Sequence, residues 1–389
     1  MTNLTLFSQI IQIIPRSIFN RLVRELGIDK HSKGINSWNQ LISMLFCHFG
    51  KVNSLRDISN GMRAARGNLN HLGLERAASK SSLAYLNEKR DWRLFQQLYF
   101  ELLSYFHSVH HFQRKGLFKL KRKIFIIDST TIPLCLRVFN WAKFRKRKGA
   151  VKVHTVLDYD GCLPAYLLVT DGKTHDVTAA KQINLPPDSV AVIDKAYVDY
   201  SWLHVLDSTG VFFVTRAKDN MQYAIVEHYQ ISAKDAGTIL QDIDIVLSNK
   251  ASYNKYPKKL RLVKVWDQEN QRELIFLTNN RSWTAKTISQ LYKARWEVEI
   301  FFKQIKQHLK IKSFVGTSEN AVMIQIWTAM ITILLLSYLK EKAKFGWQLS
   351  NLITFLRLNL FVKMNLWDWI NKPFDKPPEP VQLNYKLDL

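Results

Sequence analysis

KIFIIDSTT, residues 123–131, is the stretch on which the fold turns. Its four consecutive apolar residues, β-branched or aromatic, lack the 3.6-residue spacing of an amphipathic helix and predict a strand covered on both faces. That strand ends in a carboxylate, Asp128, followed by three hydroxyl residues. Working outward, runs of the same kind recur at VKVHTVLDYDG (151–161), LPAYLLVTDG (163–172), SVAVID (189–194) and VFFVTRA (211–217). Asp160-Gly161-Cys162 suits a hairpin connection between the first two of these. THDVTAAKQI (174–183) reads as a helix capped by Thr174 or Asp176. The predicted order is therefore a three-stranded meander, a helix and a further strand.

Upstream, residues 1–106 place apolar residues at i, i+3, i+4 spacing in LFSQIIQII, SIFNRLVRELG, SWNQLISMLFCHFG and WRLFQQLYFELLSYF, which predicts an all-helical N-terminal domain. Downstream, strand-like alternation over about 221–280 predicts a second β-rich stretch, and helical spacing returns at Thr284. The whole is an α/β protein. Residues 346–389 supply a helical segment and a Pro-rich tail.

Composition narrows the function. Of 389 residues 47% are hydrophobic and 23% charged, which excludes wholesale disorder. A net charge of +24 calls for a polyanionic partner, most simply nucleic acid. Residues 1–100 alone carry 14 Lys/Arg against 6 Asp/Glu, so the helical domain is expected to bind DNA. Three cysteines (Cys47, Cys135, Cys162) without a CxxC pair exclude a zinc ribbon or disulfide scaffold. The N-terminus lacks the basic lead and cleavage site of a signal peptide. Ala321–Leu339 is uncharged for 19 residues, but Gln325, Thr328, Thr332 and Ser337 interrupt it. A helix buried inside the protein is the better reading, and no membrane partner is expected.

Asp128 is the single acidic residue between Glu101 and Asp158, against 13 Lys/Arg. Alone it reads more readily as a structural ion-pair partner than as a metal ligand. Asp194 has the same setting at the end of SVAVI. If the two strands are parallel neighbours, both carboxylates emerge at one sheet edge, where sites in open sheets gather. Such a pair needs a cation between its members, and hard oxygen donors suit Mg²⁺ or Mn²⁺.

A helix completes the pattern. With about 100° per residue and Tyr292 at the origin, Arg295, Glu299 and Lys306 fall within an arc of roughly 60°, with Lys303 alongside and Glu297 roughly 160° from Glu299. A solvated charged face is the bland reading. A lone carboxylate among an arginine and lysines instead suits a helix that lies along a phosphate backbone and contributes one metal ligand.

Asp128-Ser-Thr-Thr, Asp194-Lys-Ala-Tyr and Tyr292-x2-Arg295-x3-Glu299-x6-Lys306 together resemble DDE transposases of the insertion-sequence-4 family. The resemblance runs over about residues 5–365. It implies an RNase H-like catalytic core split between 118–217 and 284–345, with a β-rich insertion (218–283) before the glutamate, and a helical N-terminal domain concerned with DNA ends. It also implies two Mg²⁺ ions, with Mn²⁺ as substitute, held by Asp128, Asp194 and Glu299. Implied partners are double-stranded DNA, both the terminal inverted repeats and the target, and a second copy of the chain, all in the bacterial cytoplasm at the nucleoid. Many relatives have Arg-Gly where this chain has Lys195-Ala196, which bears on the backbone there.

Other residues carry weaker signals. Lys143, Arg145, Lys146, Arg147 and Lys148 form a basic run expected to touch the DNA backbone, as are Tyr292, Arg295, Lys303 and Lys306. Trp296 is expected in the core rather than against a base. His175-Asp176 reads as helix capping, and His107, His110 and His111 as a helical spacing without a metal. Two other classes stay open: an inactive DNA-binding regulator, and a divalent-metal nuclease that cuts without joining.

Overall fold

The computed structural model describes residues 3–374, apart from 31, 33, 66, 110–119, 135–138, 140, 142, 146–147 and 310–313. Six helices come first: α1 (Leu6–Gln12), α2 (Arg16–Glu25), α3 (Ser37–Phe49), α4 (Leu55–Ala64), α5 (Lys80–Lys89) and α6 (Arg93–Val109). Their starts follow local chemistry. Thr5, Asn36, Ser54 and Ser79 each accept a backbone N–H of the first turn through the side chain, which satisfies one of the donors a helix N-terminus leaves open.

Strands β1 (Ile124–Leu134), β2 (Lys143–Arg145), β3 (Lys148–Asp158) and β4 (Leu163–Asp171) follow. Next come α7 (Asp176–Ala180), β5 (Val190–Ile193), a 3₁₀ turn at Lys195–Tyr197, α8 (Tyr200–Ser208) and β6 (Phe212–Arg216). β3 runs antiparallel to β1 and to β4, whereas β1, β5 and β6 are parallel neighbours. The meander is thus present, with β2 added as a short arm on β3.

The stretch after β6 forms β7 (Tyr223–His228), β8 (Ile239–Leu247), α9 (Lys250–Lys255), β9 (Leu260–Asp267) and β10 (Arg272–Thr278). These strands do not make a sheet of their own. β10 pairs with β6, and a single ten-stranded sheet results, in the order β2-β3-β1-β5-β6-β10-β9-β8-β7 with β4 on β3.

Helices α10 (Ala285–Lys293), α11 (Trp296–His308), α12 (Glu319–Lys342), α13 (Leu349–Asn359) and α14 (Leu366–Asn371) close the chain. Both faces of the central strands are covered, as the continuous apolar runs require. Ile124, Ile126, Val190 and Val192 join the core built by α1–α6 and α10–α14. Phe125, Ile127, Ala191 and Ile193 point the other way, into a core with Ala180, Trp202, Leu203 and Leu206 of α7 and α8.

The N-terminal helices therefore share a core with the C-terminal ones. α12 is the hub, and 83% of its apolar window is buried in the protein. Its polar residues have internal work: Gln325 Oε1 accepts Val315 N (2.9 Å), and Thr328 Oγ1 lies 3.0 Å from His48 Nε2. Gln325 and Thr328, two of the interruptions in its apolar run, are thus contact points inside the molecule.

Candidate active site

The parallel ladder between β1 and β5 ends at Ile127↔Ile193. Asp128 and Asp194 come next, so both carboxylates stand where the parallel pairing stops; Asp194 lies just past β5, whereas the strand expected to end at Asp128 runs on to Leu134 along β3. Each has one oxygen tied to backbone: Asp128 Oδ1 accepts Ser129 N (2.7 Å), and Asp194 Oδ1 caps the 3₁₀ turn by accepting Ala196 N (2.9 Å). The other oxygens approach one nitrogen. Arg295 Nη1 lies 3.0 Å from Asp128 Oδ2 and 3.5 Å from Asp194 Oδ2. Ala196 has no left-handed backbone, so the turn needs no glycine at that position.

Arg295 Nη2 donates to Glu299 Oε1, one helical turn on. The helix expected to run unbroken from Thr284 is two, with Ala294 and Arg295 between them. Arg295 N, Glu297 N and Val298 N bond three residues back, to Tyr292, Ala294 and Arg295 carbonyls, the tighter 3₁₀ pattern. This short overwound step keeps Tyr292, Arg295 and Glu299 together. The Tyr292 ring packs on Phe276 of β10, with centroids 5.0 Å apart, and Arg295 lies 5.8 Å from its centroid. Burial pushes the Tyr292 phenol up to about 12.

Three carboxylates therefore surround one guanidinium. Burial pushes Asp128 up to about 6, with Asp194 and Glu299 adding repulsion that the Ser129 N–H and Arg295 only partly offset. The donors are all carboxylate oxygens, the chemistry hard divalent cations take, and the acid excess at the cluster calls for further positive charge. That donor set fits Mg²⁺ or Mn²⁺. In the arrangement present Arg295 stands between the acids, and among the described residues no three such side chains are drawn together closely enough to hold an ion.

The remaining predicted residues divide. Lys303 is exposed and Lys306 half-buried, one and two turns beyond Glu299 on α11. Trp296, expected in the core, is 61% exposed: it opens α11 beside the acidic cluster, where the core-facing positions are taken by Val298, Phe301 and Phe302. Glu297, expected on solvent, is half-buried, with its Oε2 3.9 Å from Cys162 Sγ in the β3–β4 turn. Of the basic run, Lys143, Arg145 and Lys148 lie in the pairing of β2 with β3, where Lys143 pairs with Gly149 and Arg145 with Lys148. Lys146 and Arg147, like His110 and His111, lie outside the described residues.

The capping role given to Thr174, His175 or Asp176 is not observed. His175 occupies the N-cap of α7 without a side-chain cap bond, and Thr174 bonds Asp171 instead. Asp176 faces the sheet. Its Oδ1 accepts Ser129 Oγ (2.7 Å) and its Oδ2 accepts Lys152 Nζ (2.7 Å). Burial raises this carboxyl, but the bonds from Lys152 and Ser129 outweigh it and hold Asp176 below the usual range.

Around that contact lies a group absent from the sequence reading. His154 of β3 is buried, with Nδ1 2.9 Å from Tyr197 Oη and Nε2 3.1 Å from Thr170 Oγ1. Burial pushes its imidazole down to about 4. Ser129 and His154 are paired across β1 and β3 and so share a face, the face opposite Asp128. The one signal in the sequence was the placement of a serine and a histidine at positions that alternation assigns to a buried face.

A family model described as a transposase DDE domain matches residues 119–335, and another, described as a domain of unknown function, matches residues 2–75. Over 213 residues the chain is 37% identical to the Sinorhizobium fredii protein y4zB, which carries a transposase name, covering 54% of this chain and 59% of that one. Over 246 residues it is 28% identical to a Geobacillus stearothermophilus protein named as a probable transposase for insertion sequence element IS5377, covering 63% and 64%. A Synechocystis protein named for element IS4SA is 22% identical over 295 residues, covering 75% and 81%. The chain thus spans about three fifths of the length of the first two relatives. A piggyBac transposase synaptic complex with hairpin DNA aligns over 96% of this chain and 81% of that one, at 11% identity and a TM-score of 0.41, too low to argue from.

Proposed function

The chain belongs to the transposase DDE domain family, and on that premise we propose that it is an insertion-sequence transposase that binds element ends, cleaves the DNA and transfers the 3′ ends into a target. The observation that carries this reading is that Asp128 Oδ2, Asp194 Oδ2 and Glu299 Oε1 all meet the Arg295 guanidinium where the parallel pairing of β1 and β5 stops. An RNase H-like core is supported by the order β4-β3-β1-β5-β6, with β3 running against a parallel β1–β5–β6 set.

Asp128, Asp194 and Glu299 would hold two divalent ions, Mg²⁺ or Mn²⁺, which when bound supply an activated attacking oxygen and stabilise the leaving oxygen of an in-line displacement. Arg295, bridging the three acids, neutralises a phosphate beside the scissile bond, with Tyr292 beneath it. Lys303 and Lys306 continue the positive track along α11, and the basic residues Lys143, Arg145, Lys146, Arg147 and Lys148 contact the DNA backbone. Trp296, exposed at the start of α11, offers its ring face to an unstacked base. The basic N-terminal helices bind the element end, and two copies hold two ends together in a cytoplasmic, nucleoid-associated complex.

The test is incubation of the full chain with labelled terminal-repeat duplex, target DNA and Mg²⁺. Joined products are expected. Nicking without joining would make the protein a nuclease, and binding without cleavage in Mg²⁺ or Mn²⁺ would make it a regulator.

A further inference from the structure

The distance between the two aspartates is not set by the strands that carry them. The β1–β5 ladder stops at Ile127↔Ile193, and the next backbone bond, from Asp194 N to Ile127 O, is long at 3.4 Å. Asp194 sits on a 3₁₀ turn whose last residue is Tyr197, and Tyr197 is wholly buried under the sheet. Its hydroxyl is held by His154 Nδ1 at 2.9 Å. His154 is in turn paired with Ser129, the neighbour of Asp128 whose N–H fixes Asp128 Oδ1. Ser129 Oγ is anchored by Asp176, and Asp176 by Lys152. A circuit of contacts thus links Asp128 to Asp194 on the face of the sheet away from the acidic cluster, joined by these hydrogen bonds, by the β1–β3 ladder and by the 3.5 Å approach of His154 Nδ1 to Asp176 Oδ1.

We propose that Tyr197, through His154, and Asp176, through Ser129, are positioning residues that set the spacing of Asp128 and Asp194 for divalent-ion binding; this rests on the reading of those aspartates as metal ligands. The circuit suits the task physically. Its Tyr197, His154 and Ser129 members are hydrogen-bonded in a poorly hydrated setting, where a displaced polar group finds no substitute partner, so the turn has one low-energy position. Partners that orient ligating groups from behind typically alter metal affinity or activity by about 10- to 100-fold when removed. A role in packing alone would leave metal affinity untouched.

Tyr197→Phe removes the hydroxyl and keeps the ring. The full chain, bound to a pre-cleaved element-end duplex terminated by a dideoxynucleotide so that it cannot react further, is titrated with Mn²⁺ and free ion is followed by electron paramagnetic resonance. DNA affinity and melting temperature are measured on the same samples. The expected result is Mn²⁺ binding weakened by about tenfold or more with DNA affinity unchanged. Unchanged Mn²⁺ binding, or weakening only in step with lost folding, overturns the proposal. Should Tyr197→Phe not fold, Asp176→Ala carries the same measurement with the same two outcomes, because that side chain lies at the rim of the circuit. Asp194→Asn separates the two readings. Mn²⁺ binding that survives it sinks the metal-ligand assignment itself, whereas loss there with none in Tyr197→Phe sinks only the positioning role.

Discussion

Arg261 and Arg295 each meet carboxylates, and they do so in opposite proportions. Arg261 of β9 faces one acid, Asp242 of β8, in a two-pronged pair: Nε to Oδ1 at 2.8 Å and Nη2 to Oδ2 at 2.7 Å. Its Nη1 donates to the Trp283 and Arg281 carbonyls, and its plane lies 4.5 Å from the Tyr229 ring centroid. Charge balances and all the guanidinium nitrogens have partners; such a pair is closed. Arg295 faces three acids from three elements, and its charge balances one of them. The first cluster is a rivet between strands. The second keeps an acid excess at a partly open edge, which costs stability and is worth retaining only if something cationic completes it. The ratio of acids to bases, rather than burial or the presence of an ion pair, separates scaffold from site.

That contrast breaks most sharply at Glu299. Glu299→Gln should abolish cleavage, on the order of 10³-fold for ~4 kcal/mol of lost transition-state stabilisation, while thermal unfolding stays at or above wild type because one like charge is gone. Loss of folding in place of activity would make the acidic cluster a rivet like the other. Arg261→Ala is the mirror experiment. It leaves Asp242 buried and uncompensated and should cost about 3–5 kcal/mol in denaturant unfolding. The double change Arg261→Met with Asp242→Leu should recover most of it, and the metal requirement of cleavage should not move.

A smaller effect sharpens the contrast through pH. Asp128, at about 6 in the folded protein, lies above its unfolded value, so the native state binds the extra proton and stability falls as pH rises from about 4 through 6. Asp128→Asn should flatten that slope in melting temperature measured without added metal. A slope unchanged by the substitution would assign it to other groups. The least effect is expected at Glu297→Gln. Glu297 is half-buried beside Cys162, on the far side of α11 from Asp128 and Asp194, so cleavage and Mn²⁺ dependence should stay within about twofold while stability drops by no more than ~1 kcal/mol. A dead Glu297→Gln beside an active Glu299→Gln would overturn the helix register.

What the sequence by itself determined were the features set within one element. The places of Asp128 and Asp194 follow from apolar runs that stop, although β1 itself continues to Leu134, and the meeting of Arg295 with Glu299 follows from helical spacing, which the overwound step at Ala294–Arg295 preserves. Tertiary structure alone decided the rest. Residues 223–278 join the core sheet because β10 finds β6 as its edge partner, a choice no alternation pattern encodes. Trp296 is left outside because its neighbours Val298, Phe301 and Phe302 claim the core. Ser129, His154, Asp176 and Tyr197 come from four different elements, and their meeting depends on the β1–β3 register and on how α7 and the 3₁₀ turn pack beneath it. Periodicity fixes direction around one axis; the approach of separate axes is settled by ladder register and close packing, which act only once the chain has folded.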